Sequence, residues 1–295
     1  MKIEIDGVTV PINNFSEEDY EAVAQILRER LKDRSCKNRD AIKDAFTEAV
    51  RRGPKANPSD LWHHVVYRLY MTMIQEPDVV ACRGQIDPGQ SWKRAGGDAF
   101  ELFLVDYYNP LLAGKGIYLV SLMSRKLQEA AQQLFEVQGE IGRSKLDIAI
   151  VSGHKPGGGL PLRKEDMIGV IHAKVSLAER ISDDVPASRA LMKRGYCSFL
   201  VTLDVKSFPP SGTVGKTRAY MNRGELGTPA KPTDKRLYIE RDGEFNACFS
   251  FNHYTVPSPA QTISGKRIFV SGFEGQWDQL CEAIVTAHRR RHPAV

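Results

Sequence analysis

The 295-residue sequence predicts an α/β (α+β) fold: a central mixed β-sheet flanked by helices and preceded by an N-terminal helical layer. Three observations point there. Apolar residues in the first third recur at helical spacing, three short apolar runs after residue 145 read as strands, and helical patterns stand between and after those strands. A chain of this size can bury roughly three-quarters of its unfolded surface, so it needs no disulfide or metal to hold a core. At 42% hydrophobic and 26% charged residues it is neither disordered nor membranous.

The elements follow in order. Ser16 with Glu17, Glu18 and Asp19 reads as an N-cap and an acidic first turn ahead of a helix reaching Asp33. A second helix over 39–50 stops at Arg51-Arg52-Gly53-Pro54, and Pro58-Ser59-Asp60 opens a third over 61–76. Pro77 and the polar stretch Gly84–Gln90 break the chain before a helix over 91–112, closed by Asn109-Pro110. From Gly116 the pattern changes to a helix over 121–137, a strand over 145–153, a loop at Gly157–Gly159 and a strand over 167–175. Residues 177–195 read as a helix interrupted at Pro186, 196–208 as a third strand, and 209–235 as mostly loop. Short β-rich segments reach Val270, and Trp277–Arg291 closes the chain as a helix. This divides the sequence into an N-terminal helical region, 1–88, and a core, 89–295, or into one continuous domain.

Several function classes fall away. No apolar run approaches the roughly 18 residues of a membrane span, and the start MKIEIDGVTVPI does not suit a signal peptide. Five scattered cysteines fit neither a disulfide framework nor a CxxC zinc site, so the expected compartment is the cytoplasm. SGTVGKT (211–217) resembles a phosphate loop, but the position that needs the first glycine is Pro210, so no nucleotide is expected. Adjacent His63 and His64 do not make an i, i+4 metal pair, and Arg289–Arg291 reads as a basic helix end. The net charge of +5 permits a polyanionic partner without requiring one.

The informative stretch begins at Asp147, a carboxylate inside the apolar run KLDIAIV, where burial is costly unless it is paired or metal-bound. Lys174 ends the next apolar run in an equally costly place. Neighbouring strands would bring the two side chains to one sheet edge. There they form either a plain ion pair or a site that holds a divalent metal and orients a water for attack on phosphate. Glu179 and Arg180 follow directly, at the start of the predicted helix. Upstream, Ser91-Trp92-Lys93-Arg94-Ala95-Gly96-Gly97-Asp98-Ala99-Phe100-Glu101 opens another helix.

This combination resembles the PD-(D/E)XK nuclease superfamily, in particular type II restriction endonucleases that cut sites containing CCGG. The likeness lies in the SW-x-R-x-x-G-x-x-x-E helix, the core-strand aspartate, the strand-end lysine and the K-x-S…E-R element, and it spans roughly residues 90 to 185. It implies a restriction-endonuclease-like core that cleaves double-stranded DNA with Mg²⁺ and acts as a homodimer at least when DNA-bound. It implies catalytic roles for Asp147, Lys174 and Glu101, with Asp147 and Glu101 as metal ligands. Glu101 stands in for the signature acid, because the position two before the lysine is His172. Arg94, Glu179 and Arg180 match recognition residues, with Lys93, His172 and Ser176 close to DNA. An arginine can donate a fork to guanine O6 and N7, and a glutamate can accept from cytosine N4, which suits a G·C-rich target. Relatives also carry a carboxylate thirteen residues after the lysine, a position held here by Ala187.

Alternatives stay open. Asp204-Val205-Lys206 also reads as D-x-K and is a rival source of the lysine. A structure-specific repair or junction nuclease would share the same chemistry and would cut at branches instead of at one sequence. A non-catalytic DNA-binding protein would keep Asp147–Lys174 as an ion pair and cut nothing.

Overall fold

Ser16 starts the helical layer as its surroundings dictate. Its hydroxyl accepts from the Asp19 amide at 3.0 Å, and the Asp19 carboxylate accepts from the Ser16 amide at 3.0 Å. This reciprocal cap, worth on the order of 1 kcal/mol, opens α1 (Glu17–Lys32). The structure, a computed structural model, describes residues 1–5, 8–141, 144–153, 162–177, 181–205 and 224–293.

Helix α2 (Asn38–Arg52) stops at Gly53. Helix α3 is built from Pro58–Asp60, a π-helical stretch Leu61–Val66, and Tyr67–Met73. His63 and His64, adjacent in that π stretch, are both buried, with ring centroids 5.0 Å apart. Pro77 does not break the chain but begins α4 (Pro77–Arg83), where its missing N–H costs nothing. Helix α5 (Pro88–Ala113) runs through Pro110 and ends one residue past the expected 112, after starting three residues before the expected 91. The Asn109 side chain turns instead to the sheet edge, donating to the Leu119 carbonyl at 3.1 Å and accepting from the Leu119 amide at 2.7 Å. Before the helical layer, β1 (Lys2–Ile5) and β2 (Val8–Pro11) pair as an antiparallel hairpin that the sequence reading did not anticipate.

The central sheet contains β3 (Ile117–Ser121), β4 (Ile148–Ser152), β5 (Met167–Lys174), β6 (Cys197–Thr202), β9 (Ala247–Ser250) and β10 (Ile268–Val270). Their spatial order is β10-β9-β6-β5-β4-β3. The β3, β4 and β5 pairings are antiparallel, and those from β5 through β6 and β9 to β10 are parallel, so the sheet is mixed as expected. Gly169 lies opposite Cys197, where a Cβ would come within 2.2 Å of the Cys197 carbonyl oxygen, so only glycine allows β5 and β6 to approach this closely. A two-residue hairpin of β7 (Gly227–Thr228) and β8 (Lys231–Pro232) lies apart from this sheet.

Alternation along β4, and along β5 on either side of a bulge at Ile168, sorts the core. Ile148, Ile150, Ile168 and Ile171 join α1, α2, α3, α5 and α9 (Gln279–Arg291) in one apolar cluster. Their neighbours Ala149, Val151, Met167 and Val170 face α6 (Arg125–Leu134) and α7 (Ile181–Lys193) on the other side. A third cluster packs Leu200, Cys248 and Ile268 against α7 and α8 (Asp234–Glu240). The sheet is therefore the middle of three layers, and the N-terminal helices share its largest core. Among the described residues no helix is long and apolar enough to cross a membrane. The five cysteines are free thiols.

Candidate active site

The β4–β5 register places the site. Ile148 pairs with Ile171, so Asp147, one residue before β4, comes level with the last residues of β5. Its Oδ2 accepts from the Ala173 amide at 2.9 Å and from Lys174 Nζ at 2.8 Å. The expected convergence of Asp147 and Lys174 is thus present. Lys174 Nζ also lies 3.0 Å from Asp184 Oδ2 on α7. Asp184 has no counterpart in the sequence reading. Ala187, thirteen residues after the lysine, is a core residue, and Asp184 lies one turn earlier on the same helix.

Glu101 reaches the same corner from α5. It is 8% exposed, and its Oε1 accepts from Ser121 Oγ at 2.6 Å. Ser121 ends β3 opposite Ile148, the residue next to Asp147. Three acids from α5, the start of β4 and α7 thus surround the end of β5, where Lys174 sits.

Burial sets their protonation. It pushes Glu101 up to about 8, with the charges of Asp147 and Asp98 adding to the rise and the Ser121 hydrogen bond opposing it. Burial likewise pushes Asp184 up to about 7, although Lys174 pulls the other way. For Lys174, burial disfavours the ammonium, yet Asp147 and Asp184 outweigh it and hold the lysine charged well above its ordinary range.

His172 corrects one expectation. It is fully buried beneath Lys174 instead of near DNA, with Nε2 3.1 Å from Ser198 Oγ and Nδ1 3.9 Å from Asp184 Oδ1. Alternation explains this: residues 170, 172 and 174 share a face, and only the last reaches the strand end. Burial pushes its imidazole down to about 4, so it stays neutral.

The Ser91–Glu101 motif divides its labour. Ser91 Oγ contacts Asn38 Nδ2 at 2.9 Å and Tyr70 Oη at 2.6 Å, and Trp92 packs at tilted and edge-on angles against Trp62, Tyr67 and Tyr70. These two residues dock α5 on the helical layer and leave Lys93 and Arg94 exposed, two turns before Glu101. Ser176 is half-buried and donates to Glu225 Oε1 at 2.6 Å. Glu179 and Arg180 lie outside the described residues, as does Lys206 of the rival pair. Asp204 is described, and its carboxylate is committed elsewhere, accepting from the Glu225 amide at 2.7 Å and Thr255 Oγ1 at 2.9 Å.

The donor set suits a hard divalent cation. Glu101, Asp147 and Asp184 offer carboxylate oxygens, with Lys174 alone to offset them and His172 neutral, so full ionisation leaves a surplus of two negative charges. Among the described residues no three His, Cys, Asp or Glu side chains stand ready as a metal cage; Lys174 is paired with two of these acids, Asp147 and Asp184.

A family profile described as the BsaWI restriction endonuclease, type 2, matches residues 125–273. The type II restriction enzyme AgeI of Thalassovita gelatinovora is 47% identical over 281 residues, covering 94% of each chain. The chain belongs to the type II restriction endonucleases. A crystal structure of a specific AgeI–DNA complex superposes with a TM-score of 0.83 at 44% identity, covering 97% of this chain and 99% of the other. This restriction endonuclease is accordingly a site-specific deoxyribonuclease, and its sheet and flanking helices are those of its relatives.

Proposed function

We propose that this restriction endonuclease hydrolyses double-stranded DNA in a Mg²⁺-dependent reaction at a short palindrome containing CCGG. The observation that carries the chemistry is Lys174 held between Asp147 and Asp184 beside a buried Glu101. Asp147 and Glu101 would hold the metal, with Asp184 in reach of the same corner; when bound, the metal neutralises the phosphate and acidifies a water. Lys174, kept charged by its two carboxylates, orients that water and stabilises the charge developing on the phosphoryl oxygens. His172, on the same face of β5, is hydrogen-bonded to Ser198 in the core below.

Arg94, Glu179 and Arg180 read the bases, each good bidentate contact contributing on the order of 1–3 kcal/mol of discrimination. Exposed Lys93 adds a phosphate contact. A palindrome is matched by two-fold symmetry, so the DNA-bound form is a homodimer. An enzyme that cuts duplex DNA at such sites would work in the cytoplasm.

Digestion of a sequenced plasmid with Mg²⁺, followed by mapping of the ends, tests this reading. Discrete fragments whose ends share one CCGG-containing palindrome are expected. Smearing or branch-dependent cutting would indicate a structure-specific nuclease, and binding with no cutting would indicate a non-catalytic DNA-binding protein.

A further inference from the structure

Two buried ionisable side chains that the cleavage chemistry does not use tie two surface loops together. Arg236, on α8, is fully buried. Its Nε donates to the Leu226 carbonyl at 3.1 Å and its Nη1 to Glu240 Oε1 at 2.6 Å. A single nitrogen, Nη2, donates both to the Gly227 carbonyl, at 3.3 Å, and to the Val256 carbonyl. Asp204 bridges the same two segments: its Oδ1 accepts from the Glu225 amide at 2.7 Å and its Oδ2 from Thr255 Oγ1 at 2.9 Å. Burying such groups is costly unless they are paired and hydrogen-bonded. Here both fix the β7–β8 hairpin against the turn 252–256 that follows β9.

Both loops stand at the edge of the sheet that carries the candidate active site. Strands β5, β6 and β9 are parallel, with Lys174 opposite Thr202 and Thr202 opposite Ser250. The turn after β9 therefore leaves two strands from Lys174, about 10 Å at the usual strand spacing. The hairpin is tethered there too, since Glu225 Oε1 accepts from Ser176 Oγ at 2.6 Å, two residues beyond Lys174. Lys231 follows six residues after Glu225, at most about 20 Å of chain, the length of about six base-pair steps of duplex. Lys231 is exposed, and Tyr254 is 38% exposed while its hydroxyl donates to the buried acid Asp60.

We propose that the two loops form a clamp on the DNA duplex beside the cleavage centre, with Lys231 on a backbone phosphate and the Tyr254 ring on the adjoining sugar. This rests on the reading of Lys174 as the cleavage lysine. A duplex is the occupant that suits an exposed cation and an exposed ring at the edge where a phosphodiester must lie to be cut. Loops held rigid before DNA arrives lose less ordering entropy on binding, and that is what Arg236 and Asp204 supply. Contacts to sugar and phosphate fix the position of the duplex without reading its sequence, so the clamp acts alike on correct and mismatched sites.

The experiment titrates the full-length protein and its variants, in EDTA and between about 50 and 200 mM salt, with a duplex carrying the mapped site and with one carrying a single change in its central CCGG. Loss of one phosphate contact lowers the slope of log affinity against log salt by about 0.9, and Lys231→Ala should lose that much on both duplexes. Lys115→Ala removes an exposed lysine just before β3, at the opposite edge of the sheet, and should keep the wild-type slope. Tyr254→Ala should weaken binding about 10-fold on both duplexes with the slope unchanged. Tyr254→Phe keeps the ring and should bind like wild type. A wild-type slope in Lys231→Ala, or a loss confined to the correct site, overturns the clamp; because Lys231 is exposed, that result stands even should Tyr254→Ala fail to fold. Plasmid cutting by Lys174→Ala is read alongside. If that variant does not cut while Lys231→Ala keeps the wild-type slope, the clamp alone falls; if it still cuts, the cleavage centre falls and the clamp's place beside it falls with it.

Discussion

Replacing Lys174 with methionine removes the cation that Asp147 and Asp184 share while keeping the length of the side chain. At 2.8 and 3.0 Å, each contact is worth about 5–6 kcal/mol of direct attraction at an effective dielectric of ~20. Most of that is offset by the desolvation of the ammonium and the acids. Deleting one partner of a buried pair costs about 3–5 kcal/mol, and that is the destabilisation expected for metal-free Lys174→Met at pH 8.5. The deficit should shrink in acid. Glu101 at about 8 and Asp184 at about 7 are raised above their ordinary values even with the lysine present. For an acid raised by folding, the stabilisation is present at low pH and lost as the pH rises through the folded value. At pH 5.5 both acids are protonated in the variant, and the cost falls to about 1–2 kcal/mol. Urea unfolding of wild type and variant at the two pH values, followed by circular dichroism, gives both numbers. A cost below about 1 kcal/mol at pH 8.5 that does not change with pH would mean a screened surface pair, and the convergence of three acids on Lys174 would be refuted.

Two further outcomes follow from the same geometry. If Glu101 and Asp184 face a metal as proposed, its binding would displace their protons, so the rise in Tm on saturating with Mg²⁺ should be larger at pH 8.5 than at pH 6, and equal shifts at both would contradict the assignment. Gly169→Ala forces a Cβ toward the Cys197 carbonyl, so a loss of about 1–3 kcal/mol in unfolding free energy is expected, read from a lower urea midpoint; a neutral result would show that β5 and β6 can part without cost.

Much of the frame was legible because the signals were local. Ser16 and its acidic neighbours announced α1, and the apolar runs around Asp147 and Lys174 announced two strands on which a charge had to be paired. The net charge was uninformative for the opposite reason: an average of +5 says nothing about a corner with three acids and one lysine. Asp184 was not legible, since its meeting with Lys174 depends on α7 folding back beneath the sheet, and Pro186, which sits inside that helix, argued locally for a break. His172 was misjudged because its place in the motif says nothing of which face it occupies once β5 alternates. Asn109-Pro110 marks the last turn of α5, which ends at Ala113, but only the structure shows Asn109 bonded to Leu119 on the sheet edge. The hairpin Lys2–Pro11 did carry a signal, in the alternation of Ile3, Ile5, Val8 and Val10, which a reading for targeting segments passed over.

In the proposed mechanism Asp147 and Lys174 perform the cleavage, and recognition lies elsewhere. It is tested most directly by Asp147→Ala and Lys174→Ala on the mapped site, with binding read by gel shift and cutting by plasmid digestion, both in Mg²⁺. The expected result is that both variants still shift the cognate duplex in preference to a mismatched one and that neither cuts. Site-specific cutting retained by either variant would contradict the account.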